Sequence, residues 1–76
     1  MPVSHTPPNP DRIAHRHIEV FRALMLTGSA TGAAQLLFTS QPTISRELAR
    51  LEQLLGYDLF ERSHNRLRPN ARALRL

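Results

Sequence analysis

The first repeating pattern of apolar positions lies between residues 11 and 28. Its large apolar residues recur at the spacing of one helix face: Ile18, Phe21, Leu24 and Met25. Asp11 can cap the start of such a helix, and Gly28 can end it after Thr27. The pattern therefore predicts one amphipathic helix that turns these four side chains toward a core.

A second, shorter apolar face follows Gly28. Ser29 or Thr31 can serve as the cap of this helix. The face itself is made of small residues and one leucine: Ala33, Ala34 and Leu37. Because small residues let two helices approach closely, we expect a compact helix pair, followed by a connector at Phe38–Thr39.

The clearest helix begins at Ser40. A hydroxyl cap with Pro42 close behind it is a strong start signal, because the missing N–H of proline costs nothing in the first turn. Three apolar residues then fall within about 40° of Ile44 on a helical wheel: Leu48, Leu51 and Leu55. Three polar residues fall on the opposite side: Thr43, Arg46 and Arg50. Gly56 ends the helix.

The two ends of the chain differ from this helical middle. The first ten residues contain four of the six prolines and no charged side chain, which predicts a disordered leader over residues 1–11. After Gly56, two short alternating segments flank the connection 63–65 and predict a β-hairpin. Its expected anchors are Leu59, Phe60 and Leu67. Pro69–Asn70 then opens a fourth helical stretch over residues 71–76.

Composition excludes several classes of protein. A chain of 76 residues without cysteine has room for one small domain and cannot form disulfides or a thiolate metal site. His15 and His17 lie at i, i+2 and therefore not on one helix face, and His5 and His64 have no carboxylate at a metal-ligand spacing, so we predict no metal site, no catalytic residues and no enzyme. Neither a secretory signal nor an apolar run near the roughly 20 residues of a membrane span is present, which predicts a cytoplasmic protein.

Positive charge is concentrated at one end of the chain. All ten basic residues are arginine, a bias that codon composition can also explain. Residues 1–61 carry a net charge of −1, whereas residues 62–76 carry a net charge of +5. Nucleic acid is the leading partner for such a charge distribution. The alternative is a basic module that binds an acidic protein or a membrane surface through Arg68, Arg72 and Arg75.

The order of these elements is typical of a mainly α winged helix-turn-helix. Its parts are three helices, a short β-hairpin wing and the start of a linker helix. The domain spans residues 12–70, with the helix-turn-helix motif at about 30–49. Arg46 and Arg50 support a DNA-binding role, because like charges at i, i+4 weaken a helix slightly and folding alone does not favour them. The alternative is that Glu47 relieves Arg50 and that both arginines are merely solvated.

Several blocks of the sequence resemble the N-terminal domain of LysR-type transcriptional regulators. In chain order they are Ser29–Ala34, Ser40–Arg46, Leu51–Glu52, Leu55–Gly56 and Leu59–Arg62. Together the resemblance covers about residues 13–76 with the spacing of the family. Further blocks at 17–21, 46–50 and 67–69 resemble the family member that activates the gene of diaminopimelate decarboxylase, an enzyme of lysine biosynthesis.

The resemblance implies sequence-specific binding of double-stranded DNA and a role for each matching residue. The recognition helix would bring five residues to the major groove: Gln41, Pro42, Thr43, Ser45 and Arg46, with Arg46 as the main reader of a base. The wing residue Arg62 would enter the minor groove. Four residues would hold the DNA backbone: Thr31, Ser40, Arg50 and Arg66. Ser40 is equally well explained as a simple helix cap, and Arg62 and Arg66 as the solvated edge of a hairpin.

The resemblance also implies parts that these 76 residues do not contain. Family members continue through a dimerising linker helix, so we expect a homodimer or tetramer at full length and read residues 71–76 as the truncated start of that helix. A small-molecule effector is expected in a C-terminal domain, and no cofactor in this fragment. One departure lies after the wing, where Arg68 replaces a small hydroxyl residue; Asn70 can supply the cap instead.

Overall fold

The computed structural model describes residues 8–63 and 66–75. Within these ranges the elements are α1 (His15–Thr27), α2 (Ala30–Leu36), α3 (Gln41–Leu55), β1 (Phe60–Ser63) and β2 (Arg66–Pro69). Short 3₁₀ helices precede α1 at Pro10–Arg12 and follow β2 at Ala73–Arg75. No helix in the described ranges is long and apolar enough to cross a membrane.

The first helix starts later than the sequence predicts. Asp11 lies in the 3₁₀ helix and the chain is extended at Ile13 and Ala14, so Ala14 is the residue before the first turn of α1. The backbone N–H of Ala14 donates to Nδ1 of His17 at 2.9 Å. The prediction that Asp11 caps α1 is therefore wrong; His17, at the third helical position, instead accepts from the N–H of Ala14, the role that Glu or Gln plays in a capping box.

The buried face of α1 is also rotated from the predicted one. Val20, Ala23 and Leu24 are buried, whereas Ile18 is 42% exposed and Phe21 is half-buried. The large residues were expected to define the face, but α2 and α3 pack on the side that carries the small residue Ala23. Half-buried Phe21 meets the ring of Phe60, with centroids 6.0 Å apart.

The two helices of the helix-turn-helix begin and end as predicted. Ser29, rather than Thr31, caps α2 by accepting from the backbone N–H of Gly32 at 2.9 Å. Ser40 caps α3 by accepting from the backbone N–H of Thr43 at 3.2 Å. Gly56 ends α3 with a φ of 87°, a conformation that glycine adopts without steric cost.

One core lies between the three helices and the hairpin. Its buried members are Val20, Ala23, Leu24, Ala33, Ala34, Ile44, Leu48, Leu51, Leu59, Phe60 and Ala73. Three of the four residues predicted for the α3 stripe are fully buried, but at the end of the helix Leu54 is buried and Leu55 is only half-buried. The predicted anchors of the hairpin are confirmed for Leu59 and Phe60, and Leu67 packs half-buried against the core.

The hairpin is antiparallel and is tied to the helices through its second strand. β1 pairs with β2 in the register Phe60 to Pro69 and Ser63 to Arg66; residues 64 and 65 of the predicted connection lie outside the described ranges. The backbone N–H of Leu67 donates to the carbonyl of Gly28 at 3.0 Å, so the wing is fixed to the turn between α1 and α2.

The chain after the hairpin forms a 3₁₀ turn instead of the predicted α-helical stretch. Pro69 still belongs to β2, and Asn70 turns the chain: its Oδ1 accepts from the N–H of Ala73 at 3.0 Å and its Nδ2 donates to the carbonyl of Asp58 at 2.7 Å. The predicted cap at Asn70 is thus observed. Leu76 lies outside the described residues.

Part of the predicted disordered leader contacts the domain. The N–H of Asn9 donates to the carbonyl of Leu54 at 2.7 Å, which satisfies one of the free carbonyls at the end of α3. Pro8 lies so close to Gly56 that an added Cβ there would be 2.5 Å from Pro8 Cγ. Residues 8–11 of the predicted leader thus lie against the end of α3, while residues 1–7 lie outside the described residues.

Candidate nucleic-acid interface

The first turn of α3 presents polar side chains at the protein surface. Ser40, Gln41 and Pro42 are exposed and Thr43 is half-buried. The hydroxyls of Ser40 and Thr43 lie 2.8 Å apart, so one of them donates to the other. Because each hydroxyl has one hydrogen, the accepting hydroxyl keeps its own hydrogen for an outside acceptor such as a phosphate oxygen. The cap interpretation of Ser40 is therefore observed, and it is compatible with a phosphate contact.

The start of α2 lies beside the start of α3. The Thr31 hydroxyl donates to Oε1 of Gln41 over a long 3.4 Å bond. This contact uses the carboxamide oxygen of Gln41. The NH₂ group of Gln41 remains available to donate to an acceptor on a base edge. Thr31 has only one hydroxyl hydrogen, so it must give up this weak bond in order to donate to a phosphate.

A small cleft joins α3 to the hairpin. It has a volume of about 130 Å³. Four of the predicted DNA-contacting residues lie on its walls: Gln41 and Ser45 from α3, Arg62 from β1 and Arg66 from β2. The structure therefore brings the expected major-groove and wing residues together, although they are separated in the sequence by the rest of α3.

A second surface, which we call the outer face, runs along the exposed side of α3. It is lined by Arg46, Glu47, Ala49, Arg50 and Gln53. Arg46 and Arg50 are exposed as predicted, and Nη1 of Arg50 donates to Oε1 of Gln53 at 3.2 Å. No ion pair in the described ranges involves either arginine. Glu47 does not relieve Arg50, because its carboxylate contacts His17 of α1 instead.

The histidine contact is one of two features that the sequence analysis missed. Nε2 of His17 lies 3.2 Å from Oε1 of Glu47, and the side chains are 11% and 32% exposed. Since Nδ1 of His17 accepts from Ala14, Nε2 is the nitrogen that carries the hydrogen toward Glu47. The spacing of residues along one helix cannot reveal this pair, because its members lie on different helices.

The second missed feature is the buried carboxylate of Glu52. This residue is only 7% exposed, and its Oε2 accepts from the backbone N–H groups of Leu59 at 2.7 Å and Phe60 at 3.4 Å. The contact fixes the strand that carries Arg62 relative to α3. A signal was present in the sequence, since Glu52 lies about 80° from Ile44 on the helical wheel, at the edge of the apolar stripe.

The alternative basic surface is partly occupied by the domain itself. The guanidinium of Arg72 lies 4.8 Å from the centroid of the Tyr57 ring, a cation–π contact. One of the three arginines assigned to an acidic-protein or membrane partner is thus stacked on the end of the helical domain.

Comparison with known proteins identifies the family. A family model described as "Bacterial regulatory helix-turn-helix protein, lysR family" matches residues 15–74. The chain belongs to the LysR family. The matched segment is the DNA-binding domain of a LysR-family transcriptional regulator, and the predicted family, together with its regulatory rather than enzymatic class, is confirmed.

Similar curated proteins are longer regulators. The chain is 61% identical over 61 residues to the transcriptional activator protein LysR of Escherichia coli K12, and 52% identical over 61 residues to the regulatory protein NocR of Agrobacterium fabrum. Each match covers 80% of this chain and 20% of the relative. The chain thus spans about a fifth of the length of the curated relatives it matches.

Similar solved structures share the winged helix-turn-helix fold, which confirms the predicted mainly α architecture. The CbnR DBD–DNA complex has a TM-score of 0.80 and 35% identity, covering 83% of this chain and 72% of that one. The BenM DBD complex with benA site 1 DNA has a TM-score of 0.76 and 32% identity, covering 82% and 70%. The individual roles predicted for the site residues stay predictions.

Proposed function

We propose that this chain binds duplex DNA in a sequence-specific manner as the DNA-binding part of a LysR-family transcription regulator. The observation that carries the proposal is the cleft, because it places Gln41 and Ser45 of α3 beside Arg62 and Arg66 of the hairpin. A recognition helix and a basic wing on one surface can hold two grooves of the same duplex. The solved DNA complexes of CbnR and BenM domains with this fold support the assignment.

In this proposal α3 enters the major groove with its first two turns. That groove is about 12 Å wide and admits one α-helix. Five residues face base edges: Gln41, Pro42, Thr43, Ser45 and Arg46. The Arg46 guanidinium suits a bidentate contact with the O6 and N7 atoms of guanine, and the available NH₂ group of Gln41 suits a base acceptor. Arg62 of the wing enters the neighbouring minor groove, where arginine responds to groove width.

A second group of residues holds the DNA backbone. Its members are Thr31, Ser40, Arg50 and Arg66. The hydroxyls of Thr31 and Ser40 lie at the starts of α2 and α3, where the exposed backbone N–H groups also favour phosphate. Arg50 follows Arg46 by one turn on the outer face and reaches the phosphates flanking the groove. These contacts add affinity without reading the sequence.

The experiment that tests the proposal separates side chains that recognise bases from side chains that bind only the DNA backbone. Preferred duplexes are selected from a randomised pool by the chain itself, and affinity for a selected and a scrambled duplex is measured at several salt concentrations. We expect Arg46→Ala to reduce the discrimination between the two duplexes by about 1–3 kcal/mol. Arg50→Ala should weaken both about equally and lower the salt slope by about one.

Two results would contradict this assignment. If Arg46→Ala and Arg50→Ala weakened both duplexes to the same extent, Arg46 would not read a base. If the chain bound anionic vesicles of phosphatidylserine but showed no duplex binding at low salt, the basic-module alternative would replace DNA binding.

We infer the wider role from the relatives. The 61% identity to the Escherichia coli activator supports the proposal that the regulated gene is that of diaminopimelate decarboxylase, although NocR, which is also similar, is a different regulator. A footprint upstream of that gene in the source genome tests it, and protection confined to other promoters would reject it. A homodimer or tetramer in the bacterial cytoplasm, and an effector bound outside these 76 residues, complete the proposal.

A further inference from the structure

The outer face contains a carboxylate beside two DNA-binding arginines. Glu47 lines the same shallow depression as Arg46 and Arg50, and it precedes Arg50 by three residues on one helix. At that spacing a free glutamate side chain reaches an arginine and forms an intrahelical ion pair. Such a pair would neutralise a cation that the proposed function assigns to the DNA backbone, and would place negative charge toward the phosphates.

The structure keeps this carboxylate away from the arginines. Oε1 of Glu47 lies 3.2 Å from Nε2 of His17, whose own side chain is nearly covered. His17 is in turn held by the N–H of Ala14, which donates to Nδ1 at 2.9 Å. Both ring nitrogens are therefore used, and the imidazole is fixed in the orientation that points Nε2 at Glu47.

We propose that His17 is a positioning residue of the DNA-binding surface: it holds the Glu47 carboxylate on α1 and so leaves Arg50 available to DNA. The inference rests on the proposed function, because it presumes that Arg50 contacts DNA. It adds that a side chain of α1, outside the helix-turn-helix, controls the effective charge of the recognition helix.

The test uses two variants of His17, each of which can keep one of the two contacts that the imidazole makes. His17→Asn keeps an oxygen near the position of Nδ1 to accept from Ala14, but is too short to reach Glu47. His17→Gln places an amide N–H near the position of Nε2 and can keep the Glu47 contact. Duplex affinity and its salt slope are measured at a temperature where circular dichroism shows every variant folded, with His15→Asn, at an exposed position of the same helix, as the control.

In His17→Asn the released Glu47 can pair with Arg50, and an exposed ion pair of this kind would weaken duplex binding by about two- to fivefold. We also expect the salt slope to fall by up to about one, because one arginine is neutralised. His17→Gln and His15→Asn should bind like the starting chain. Adding Glu47→Gln to His17→Asn should restore both affinity and slope, because no carboxylate is left to compete. A purely structural role for His17 would not produce this rescue.

The outcomes distinguish the inference from the function on which it rests. If Glu47→Gln improved binding equally with and without His17→Asn, or raised the affinity of the starting chain fivefold, Glu47 would not be held by His17 and the inference would fail. The second comparison, Glu47→Gln in the starting chain alone, does not depend on whether His17→Asn folds. If Arg50→Ala left duplex binding unchanged, the proposed function itself would be wrong.

Discussion

Phe38, in the turn between α2 and α3, has a backbone conformation that bulky residues rarely adopt. Its φ is 56°, in the left-handed region, and its side chain is 95% exposed. Left-handed backbone costs an L-residue roughly 1–2 kcal/mol, and an exposed ring recovers none of this by packing. The sequence gives no sign of the strain, since periodicity predicts a connector here without its dihedral angles.

We expect Phe38→Gly to stabilise the domain. Removing the strain outweighs the greater freedom of glycine in the unfolded chain, which leaves a net gain of about 0.5–1 kcal/mol and a melting temperature higher by about 3–6 °C. Thermal unfolding followed by circular dichroism measures it. Leu36→Gly, at a half-exposed helical position two residues earlier, is the control and should destabilise. Equal losses for both variants would show that Phe38 is not strained.

The sequence predicts the exposure of single site residues but not the contacts that they make. The wheel of α3 correctly assigns Arg46 and Arg50 to the exposed side, because one helix sets the relative directions of its own side chains. It cannot show that Glu47 turns to His17 or that Thr31 contacts Gln41, since each pair joins two helices. Such contacts depend on helix packing, which a one-dimensional pattern does not contain.

At the scale of elements, Glu52 connects the recognition helix to the wing. Its carboxylate accepts hydrogen bonds from the backbone N–H groups of Leu59 and Phe60, where the chain enters β1. A hydrogen bond to a charged group contributes about 1.5–3 kcal/mol, and the Leu59 donor would otherwise be buried without a partner; the longer bond to Phe60 adds less. The wing position of Arg62 therefore depends on a side chain of α3.

We expect Glu52→Ala to lower the free energy of unfolding by about 2–3 kcal/mol and Glu52→Gln by less, because glutamine keeps one acceptor oxygen. Urea denaturation measures both, with Glu61→Ala on the exposed side of β1 as the control, expected within about 0.5 kcal/mol of the starting chain. If Glu52→Ala and Glu61→Ala were equally mild, the buried carboxylate would not be holding the strand.

Element boundaries were predictable where local chemistry decides them. Ser29, Ser40, Gly28 and Gly56 start or stop helices through their own hydrogen bonds or φ angles, and the structure uses all four. The start of α1 was mispredicted because the chain first makes a 3₁₀ turn that docks on the end of α3. The face of α1 was only partly predicted: Leu24 is buried as expected, but Val20 and Ala23 are buried beside it while Ile18 is exposed.

At the scale of the whole molecule, the charge asymmetry of the sequence becomes an asymmetry of the surface. The five arginines of residues 62–76 follow the last acidic residue, and the hairpin folds back so that Leu67 bonds to Gly28. This return places Arg62 and Arg66 beside the start of α3. The net charge of each segment could be calculated from the sequence, whereas the cleft could be found only in the folded structure.

The size of the domain makes its stability depend on a few buried leucines. At about 0.05–0.15 kcal/mol per residue, a chain of this length has a free energy of unfolding on the order of 4–11 kcal/mol. Leu48 is fully buried at the centre of α3, and truncating such a side chain costs about 2–5 kcal/mol. Leu48→Ala should therefore remove a large share of this free energy and, at the lower end of the range, leave a substantial fraction of the molecules unfolded near 37 °C.

Denaturation profiles of Leu48→Ala and Leu26→Ala test this dependence. Leu26 lies on α1 and is 76% exposed, so its truncation should change stability by less than about 0.5 kcal/mol. Because α3 carries both the core stripe and the DNA-binding side chains, loss of Leu48 should weaken selected and scrambled duplexes together in proportion to the unfolded fraction. An unchanged melting curve for Leu48→Ala would mean that α3 is rotated from its observed orientation, and the outward placement of Arg46 would fall with it.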